Sequence, residues 1–314
     1  MKNLKKTRQL GIFLFSSVLL LTAALPSCKK NGGDDPVNTK PEMQSKLTEA
    51  EEIRIMKAGF SAVDAVKVGN SYLVEGDILL SEGDLNHQIA LIEGLQGKNG
   101  PSTEQYKSAF RLADKYIKNG QVKIKVDAGK LQKFVTDATT IAINRYNDLK
   151  LGATFVLETS PTGTADIVVG MKDLKGNITG QAAGFPTADG NPAPSLSLNG
   201  NRYTNATDYT AEAISTVIAH EIGHCIGFRH TDYLDLNSCA AAGDPESTTS
   251  STRDANGNSI LDANGKKIPN LTTTASLIPG TAKYDRDSWM GACNQAYSFT
   301  SNDKKALYYL LGKQ

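Results

Sequence analysis

Three histidines and one glutamate stand within eleven residues of this chain. Residues 220–230 read His-Glu-Ile-Gly-His-Cys-Ile-Gly-Phe-Arg-His, and they hold three of the four histidines in 314 residues. His220 and His224 are four apart, so on a helix they project from one face and can grip one metal ion. Glu221 is offset by one position, able to reach a water on that metal without being a ligand. Gly227 can take the left-handed conformation that ends a helix and turns the chain. His230, beyond the turn, returns to supply a third nitrogen. Three protein ligands with one open position is the zinc arrangement of catalysis rather than of structure. His87, the remaining histidine, reads as an ordinary surface residue.

The elements that must position this motif follow from periodicity. The zinc-bearing helix needs a cap, and Thr207 or Asp208 is placed to give one. Upstream, Val122-Lys-Ile-Lys-Val126 alternates as a half-buried strand, and Asp127 is placed to cap the helix that follows. Along that helix Leu131, Phe134, Val135, Ala138, Ile141, Ala142 and Tyr146 form one apolar stripe. Residues 153–157, 166–169, 180–185 and 194–198 read as further strands, the last two divided by the turn residues Asp189-Gly-Asn-Pro192. Near the N-terminus, Leu47 to Phe60 is an amphipathic helix. Tyr72-Leu-Val74 and Ile78-Leu-Leu80 are short strands flanking Glu75-Gly76-Asp77, and residues 97–103 read as a boundary loop. The fold class is therefore α+β. The echo Asp254-Ala-Asn-Gly257 and Asp262-Ala-Asn-Gly265 would suit calcium only loosely, since its spacing matches no EF-hand loop; Asn-Gly turns of a surface hairpin fit better.

The first residues carry an address. Lys2, Lys5, Lys6 and Arg8 precede an apolar run from Leu10 to Leu25, too interrupted for a stable membrane span. It ends in Leu25-Pro-Ser-Cys28, which resembles a bacterial lipobox, so residues 1–27 are expected to be a lipoprotein signal peptide and Cys28 the lipidated residue. Residues 28–45 read as a polar tether. No acidic residue follows Cys28 directly, which favours the outer membrane, on its periplasmic or cell-surface side. The formal net charge of +1 falls to about −3 once the signal and its four basic residues are gone. No basic stripe with interleaved aromatics is present, which argues against nucleic acid. Export permits a disulfide, for which Cys239 and Cys293 are the best pair, leaving Cys225 as a buried thiol.

His220-Glu-Ile-Gly-His224 is the signature after which the dual-action HEIGH metallopeptidases of the metzincin clan are named, and the chain resembles that family over residues 110–314. Cys225-Ile-Gly-Phe-Arg-His230-Thr-Asp232 is similar to it as well. Asp287-Ser-Trp-Met290 resembles the Met-turn beneath the zinc, and Thr300 to Gly312 the C-terminal helix. The resemblance implies a metzincin-like zinc endopeptidase domain (residues 111–314): a twisted mixed sheet, an active-site helix, and a Met-turn in which Met290 is structural. It implies one zinc ion held by His220, His224 and His230, with Glu221 as general base and a protein or peptide substrate lying along the edge of Gly180–Phe185. The long stretch before Met290 departs from the family pattern. A zinc-dependent surface binder or adhesin remains the alternative, although a binder has no need of the base; a lipoprotein maturation factor acting on one partner is another.

Residues 46–110 precede the catalytic domain as a pro-segment or accessory region. Within them Val74-Glu-Gly-Asp77 resembles the Phe-x-Gly-Asp stretch of astacin pro-segments, whose aspartate reaches the zinc. Asp77 is thus a candidate latency switch; the same four residues also suit a plain turn between two strands.

Overall fold

A computed structural model describes residues 44–60, 62, 65–95, 106–233, 238, 276–282, 285–293 and 296–314. Residues 39–314 form one compact unit. In chain order the elements are β1 (Gln44–Ser45), α1 (Glu49–Lys57), β2 (Val66–Val68), β3 (Ser71–Val74), β4 (Ile78–Ser81), α2 (Glu82–Leu95), β5 (Tyr106–Lys107) and α3 (Asp114–Ile117). There follow β6 (Gly120–Asp127), α4 (Gln132–Asn147), β7 (Ala153–Leu157), β8 (Ile167–Lys172), β9 (Gly180–Ala182), β10 (Ser195–Asn199), α5 (Ala211–Cys225), β11 (Ser276–Leu277) and α6 (Ser301–Leu311). Nine strands make one mixed sheet in the order β1-β2-β3-β4-β9-β10-β8-β6-β7, and β5 pairs with β11 apart from it.

The half that carries the three clustered histidines is built largely as its patterns require. Along β6 the apolar Val122, Ile124 and Val126 are buried while the lysines between them are not. Val135, Ala138, Ala142 and Tyr146 turn one stripe of α4 inward against the same core, which also takes Ile214, Ile218 and Ile222 of α5. The Tyr146 hydroxyl donates to the Ala219 carbonyl at 2.7 Å, fixing α4 against the zinc-motif helix.

Three local expectations are corrected. Asp127 caps nothing: it ends β6 exposed, and the Gln132 side chain serves the start of α4, accepting from Ala128 N and donating to Val126 O, both at 2.9 Å. The cap of α5 is Thr210, whose Oγ1 accepts from Ala213 N, and neither Thr207 nor Asp208. Residues 82–95, which the periodicity left unassigned, are the helix α2. Its signal was Ser81-Glu-Gly-Asp84, where the Ser81 amide donates to Asp84 Oδ2 and the Asp84 amide donates to Ser81 Oγ.

The N-terminal elements have a small core of their own, made by Ile55, Phe60, Tyr72, Val74, Ile78, Leu80 and Leu85 with Phe185 of the catalytic half. They join the large sheet at one place. β4 meets β9 in parallel through the pair Ile78 and Ala182, with the Ala182 amide donating to the Asp77 carbonyl at 2.9 Å. The β9 edge, expected to be open for a peptide, is therefore occupied there by the chain's own N-terminal region, and β9 is shorter than the expected 180–185. Cys28, Cys239 and residues 254–265 lie outside the described residues. Cys293 is disulfide-bonded, and Cys225 is free and buried.

Candidate metal centre

The helix α5 carries His220, Glu221 and His224, and its end is shaped by Gly227. With φ at +111°, Gly227 reverses the chain: its amide donates to His224 O, and the Phe228 amide donates to Gly223 O, both at 2.9 Å. This pair of bonds is a Schellman cap, which needs a left-handed residue at the glycine position. The reversal brings His230 back over the helix. The three Nε2 atoms then converge, 3.1 Å between His220 and His224, 3.1 Å between His220 and His230, and 3.2 Å between His224 and His230.

The other ring nitrogens show what these Nε2 atoms are for. His220 Nδ1 lies 2.7 Å from the Trp289 carbonyl and His224 Nδ1 lies 2.8 Å from the Phe228 carbonyl. A carbonyl only accepts, so each Nδ1 carries the proton and each Nε2 presents a lone pair. The lone pairs of His220 and His224, pointed at each other and at His230 Nε2, repel unless a cation, proton or metal, stands among the three. Tetrahedral zinc with Zn–N of about 2.0–2.1 Å would set its nitrogens about 3.3–3.4 Å apart, close to the spacing here. The donor set fits zinc.

Asp77 completes the cluster. Its Oδ2 is 3.2 Å from His230 Nε2 and 3.4 Å from His220 Nε2, and its Oδ1 is 3.6 Å from His224 Nε2. Among the described residues, Asp77, His220, His224 and His230 are the one group of such side chains close enough to share an ion. Asp77 arrives on the turn between β3 and β4, where Glu75 and Gly76 both have positive φ, +52° and +91°. The turn reading and the metal-facing reading, alternatives in the sequence, thus describe the same residues.

The electrostatics are those of a dry pocket. His220, Glu221, His224 and His230 are fully buried. Burial drives the His224 imidazole well below the usual histidine range. It would do the same to His230, but the carboxylates of Asp77 and Glu75 reverse the sign and hold His230 well above that range. Burial opposes the ionised form of Asp77 too, yet the charge on His230 and the bonds from His220 and His230 keep it below the ordinary carboxylate range. The cluster demands a cation, proton or metal, in its midst. Glu221 behaves oppositely: burial first, then the Asp77 charge, push its carboxyl well above the usual range. Both Glu221 oxygens are buried with no side-chain partner, and only the Ala182 backbone opposes the shift from beside them.

Met290 is 1% exposed and lies under the zinc-motif helix, so close that a Cβ on Gly223 would collide with its sulfur. The turn it belongs to does more than pack. The Trp289 carbonyl receives His220, and the Met290 carbonyl accepts from the Thr231 amide at 2.9 Å, beside His230. Asp303 of α6 secures this turn, accepting from Ser288 Oγ at 2.7 Å and Trp289 N at 3.2 Å. Gly180 shows how close β9 passes to Glu221, since a Cβ there would fall 2.5 Å from Glu221 Oε1. His87 sits exposed on α2, edge-on to Phe110. Sequence reasoning passed over two further residues, Glu75 and Arg229. They form a buried ion pair at the rim of the cluster, and Glu75 Oε2 is also 3.4 Å from His230 Nδ1.

Two solved structures of myroilysin are similar at 16% sequence identity each. One covers 63% of this chain and 95% of that one with a TM-score of 0.38; the other covers 61% and 83% with a TM-score of 0.34. No curated protein matches. The family model described as dual-action HEIGH metallo-peptidase matches residues 78–256, more than half of the chain and all of the zinc motif. The chain belongs to the dual-action HEIGH metallopeptidases, hydrolases of protein or peptide that work through a catalytic metal, typically zinc.

Proposed function

We propose that this chain is a zinc-dependent endopeptidase with Glu221 as its general base, held latent by Asp77. The observation that carries the base assignment is the buried Glu221 carboxyl, next in sequence to one ligand and bonded by no side chain. When bound by His220, His224 and His230, zinc supplies Lewis acidity that makes water a nucleophile near neutral pH and polarises the scissile carbonyl. Glu221 takes the proton from the attacking water and delivers it to the leaving amine nitrogen.

Latency rests on burial. With all three histidines and Glu221 sealed from solvent and Asp77 against all three Nε2 atoms, a substrate carbonyl has no room to enter. A carboxylate is a competent fourth zinc ligand and fills the position that the nucleophilic water needs. We read the N-terminal elements as the latency segment and Asp77 as its switch. We further read residues 1–27 as a signal and Cys28 as a lipid anchor on the outer membrane; the tether, expected over 28–45, ends before Gln44, which pairs with β2.

The test uses two full-length variants. Glu221→Gln keeps zinc and loses peptide hydrolysis by several orders of magnitude. Asp77→Ala raises hydrolysis without any cleavage of the chain. Substantial turnover in the first defeats the base assignment, and equal turnover of wild type and Asp77→Ala defeats the latency reading.

A further inference from the structure

Arg229 occupies the tenth position of the zinc motif, next to His230, and its side chain is 1% exposed. Its guanidinium Nη2 donates to Glu75 Oε1 and, at 2.9 Å, to the Gly59 carbonyl. It lies flat between two rings, with the centroid of Phe60 at 4.0 Å and that of Tyr233 at 4.4 Å. Both hydrogen-bond acceptors and one of the two rings come from the N-terminal elements; Tyr233 alone belongs to the catalytic half. Glu75 is held in turn by a backbone conformation that a non-glycine residue seldom adopts, φ +52°, at the tip of the hairpin that brings Asp77 to the metal.

The proposal rests on the latency reading given above. When the N-terminal elements withdraw from the cleft, Arg229 loses Glu75, Gly59 and Phe60 together. A guanidinium is always charged and needs a planar acceptor where water is scarce. Tyr233 keeps its apolar wall, and the backbone keeps its place, since the Arg229 amide donates to the Tyr106 carbonyl at 3.1 Å. What remains is a preformed cationic socket beside the third zinc ligand, shaped for a carboxylate two residues away from a metal-facing residue.

We infer that Arg229 is a specificity-determining residue: Glu75 occupies its socket in the latent chain, and an acidic side chain of the peptide substrate occupies it during turnover. The preferred substrates are then acidic peptides, with glutamate or aspartate close to the scissile bond. Discrimination against the neutral amide analogue is expected because a site built to hydrogen-bond a substrate group is left unpaired without it.

The experiment has two arms, both on the full-length zinc-loaded chain. In the first, Glu75→Ala empties the socket, and thermal unfolding is followed with acetate, acetamide and chloride at matched ionic strength. Acetate replaces the deleted carboxylate and raises the melting temperature; the others do not, and Glu75→Ala/Arg229→Gln shows no acetate effect. A Glu75→Ala chain that folds only in acetate is the same result. In the second arm, Glu75→Gln/Asp77→Ala, which conserves packing, cleaves matched peptide pairs carrying Glu or Gln at each position flanking the scissile bond. At one position kcat/KM favours Glu by at least about tenfold, and adding Arg229→Gln brings the ratio near one. No specific acetate effect, or a ratio near one with Arg229 intact, overturns the inference. Equal turnover by wild type and the double variant would defeat the latency reading instead, and the Glu-to-Gln ratio would then be read on the wild type.

Discussion

Removing the Asp303 carboxylate should loosen zinc without touching a zinc ligand. Asp303 is fully buried at the start of α6 and receives three donors: Ser288 Oγ at 2.7 Å on one oxygen, Trp289 N at 3.2 Å and Thr300 N at 2.8 Å on the other. In Asp303→Ala each donor is left in a dry site at about 1–3 kcal/mol. Partial relaxation brings the sum to roughly 4 kcal/mol, comparable to breaking a buried charged contact. For a domain of this size that lowers the melting temperature by on the order of 10 °C. Asp303→Asn should be milder, about 1–2 kcal/mol. Turned so that its oxygen keeps the two amides, its NH2 can donate to Ser288 Oγ, which already accepts from the Met290 amide at 3.1 Å. The functional consequence passes through the Trp289 carbonyl, which fixes the proton on His220 Nδ1. Loss of such a partner typically weakens metal affinity about 10- to 100-fold. Zinc release to a competing chelator and thermal unfolding, measured on both variants, check the chain of reasoning. If Asp303→Ala lost stability but bound zinc as the wild type does, the turn would not be orienting His220. If Asn and Ala were equally damaging, the assignment of donors to oxygens would be wrong.

His230→Ala should retain far less than one zinc per chain by metal analysis; undiminished stoichiometry would remove His230 from the ligand set. Met290→Leu conserves volume and should cost less than about 1.5 kcal/mol with activity largely kept, so complete loss of zinc in that variant would contradict a packing role. Cys28→Ala should escape processing at residue 27 and no longer partition into detergent; normal processing and membrane recovery would point to a plain secretory signal.

The histidine cluster was legible because its members are local. A helix, one glycine and a reversal bring three nitrogens together within eleven residues, and spacing alone states the result. Asp77 was legible only as a short resemblance, since its approach depends on β4 reaching β9. Glu75 and Arg229 lie 154 residues apart, and nothing in either neighbourhood marks one as the other's partner. The α2 helix was missed for a different reason. Gly83 and Gly94 dilute its pattern, and its signal was the Ser81/Asp84 pair rather than an apolar stripe. At Asp127 and at Asp208 an acidic residue stood in a plausible capping position, but α4 starts without a side-chain cap and α5 is capped by Thr210, nearer its first turn.

Asp77 and the histidines it faces belong to one polypeptide, and the link between α2 and β5 is residues 96–105. An intramolecular occupant competes at an effective concentration set by its linker, in the millimolar range for short flexible ones. Its occupancy does not change when the protein is diluted. One cut between residues 95 and 106 would turn a unimolecular equilibrium into a bimolecular one. Dilution would then favour the open site, and a nick in the linker would make activation depend on how much protein is present.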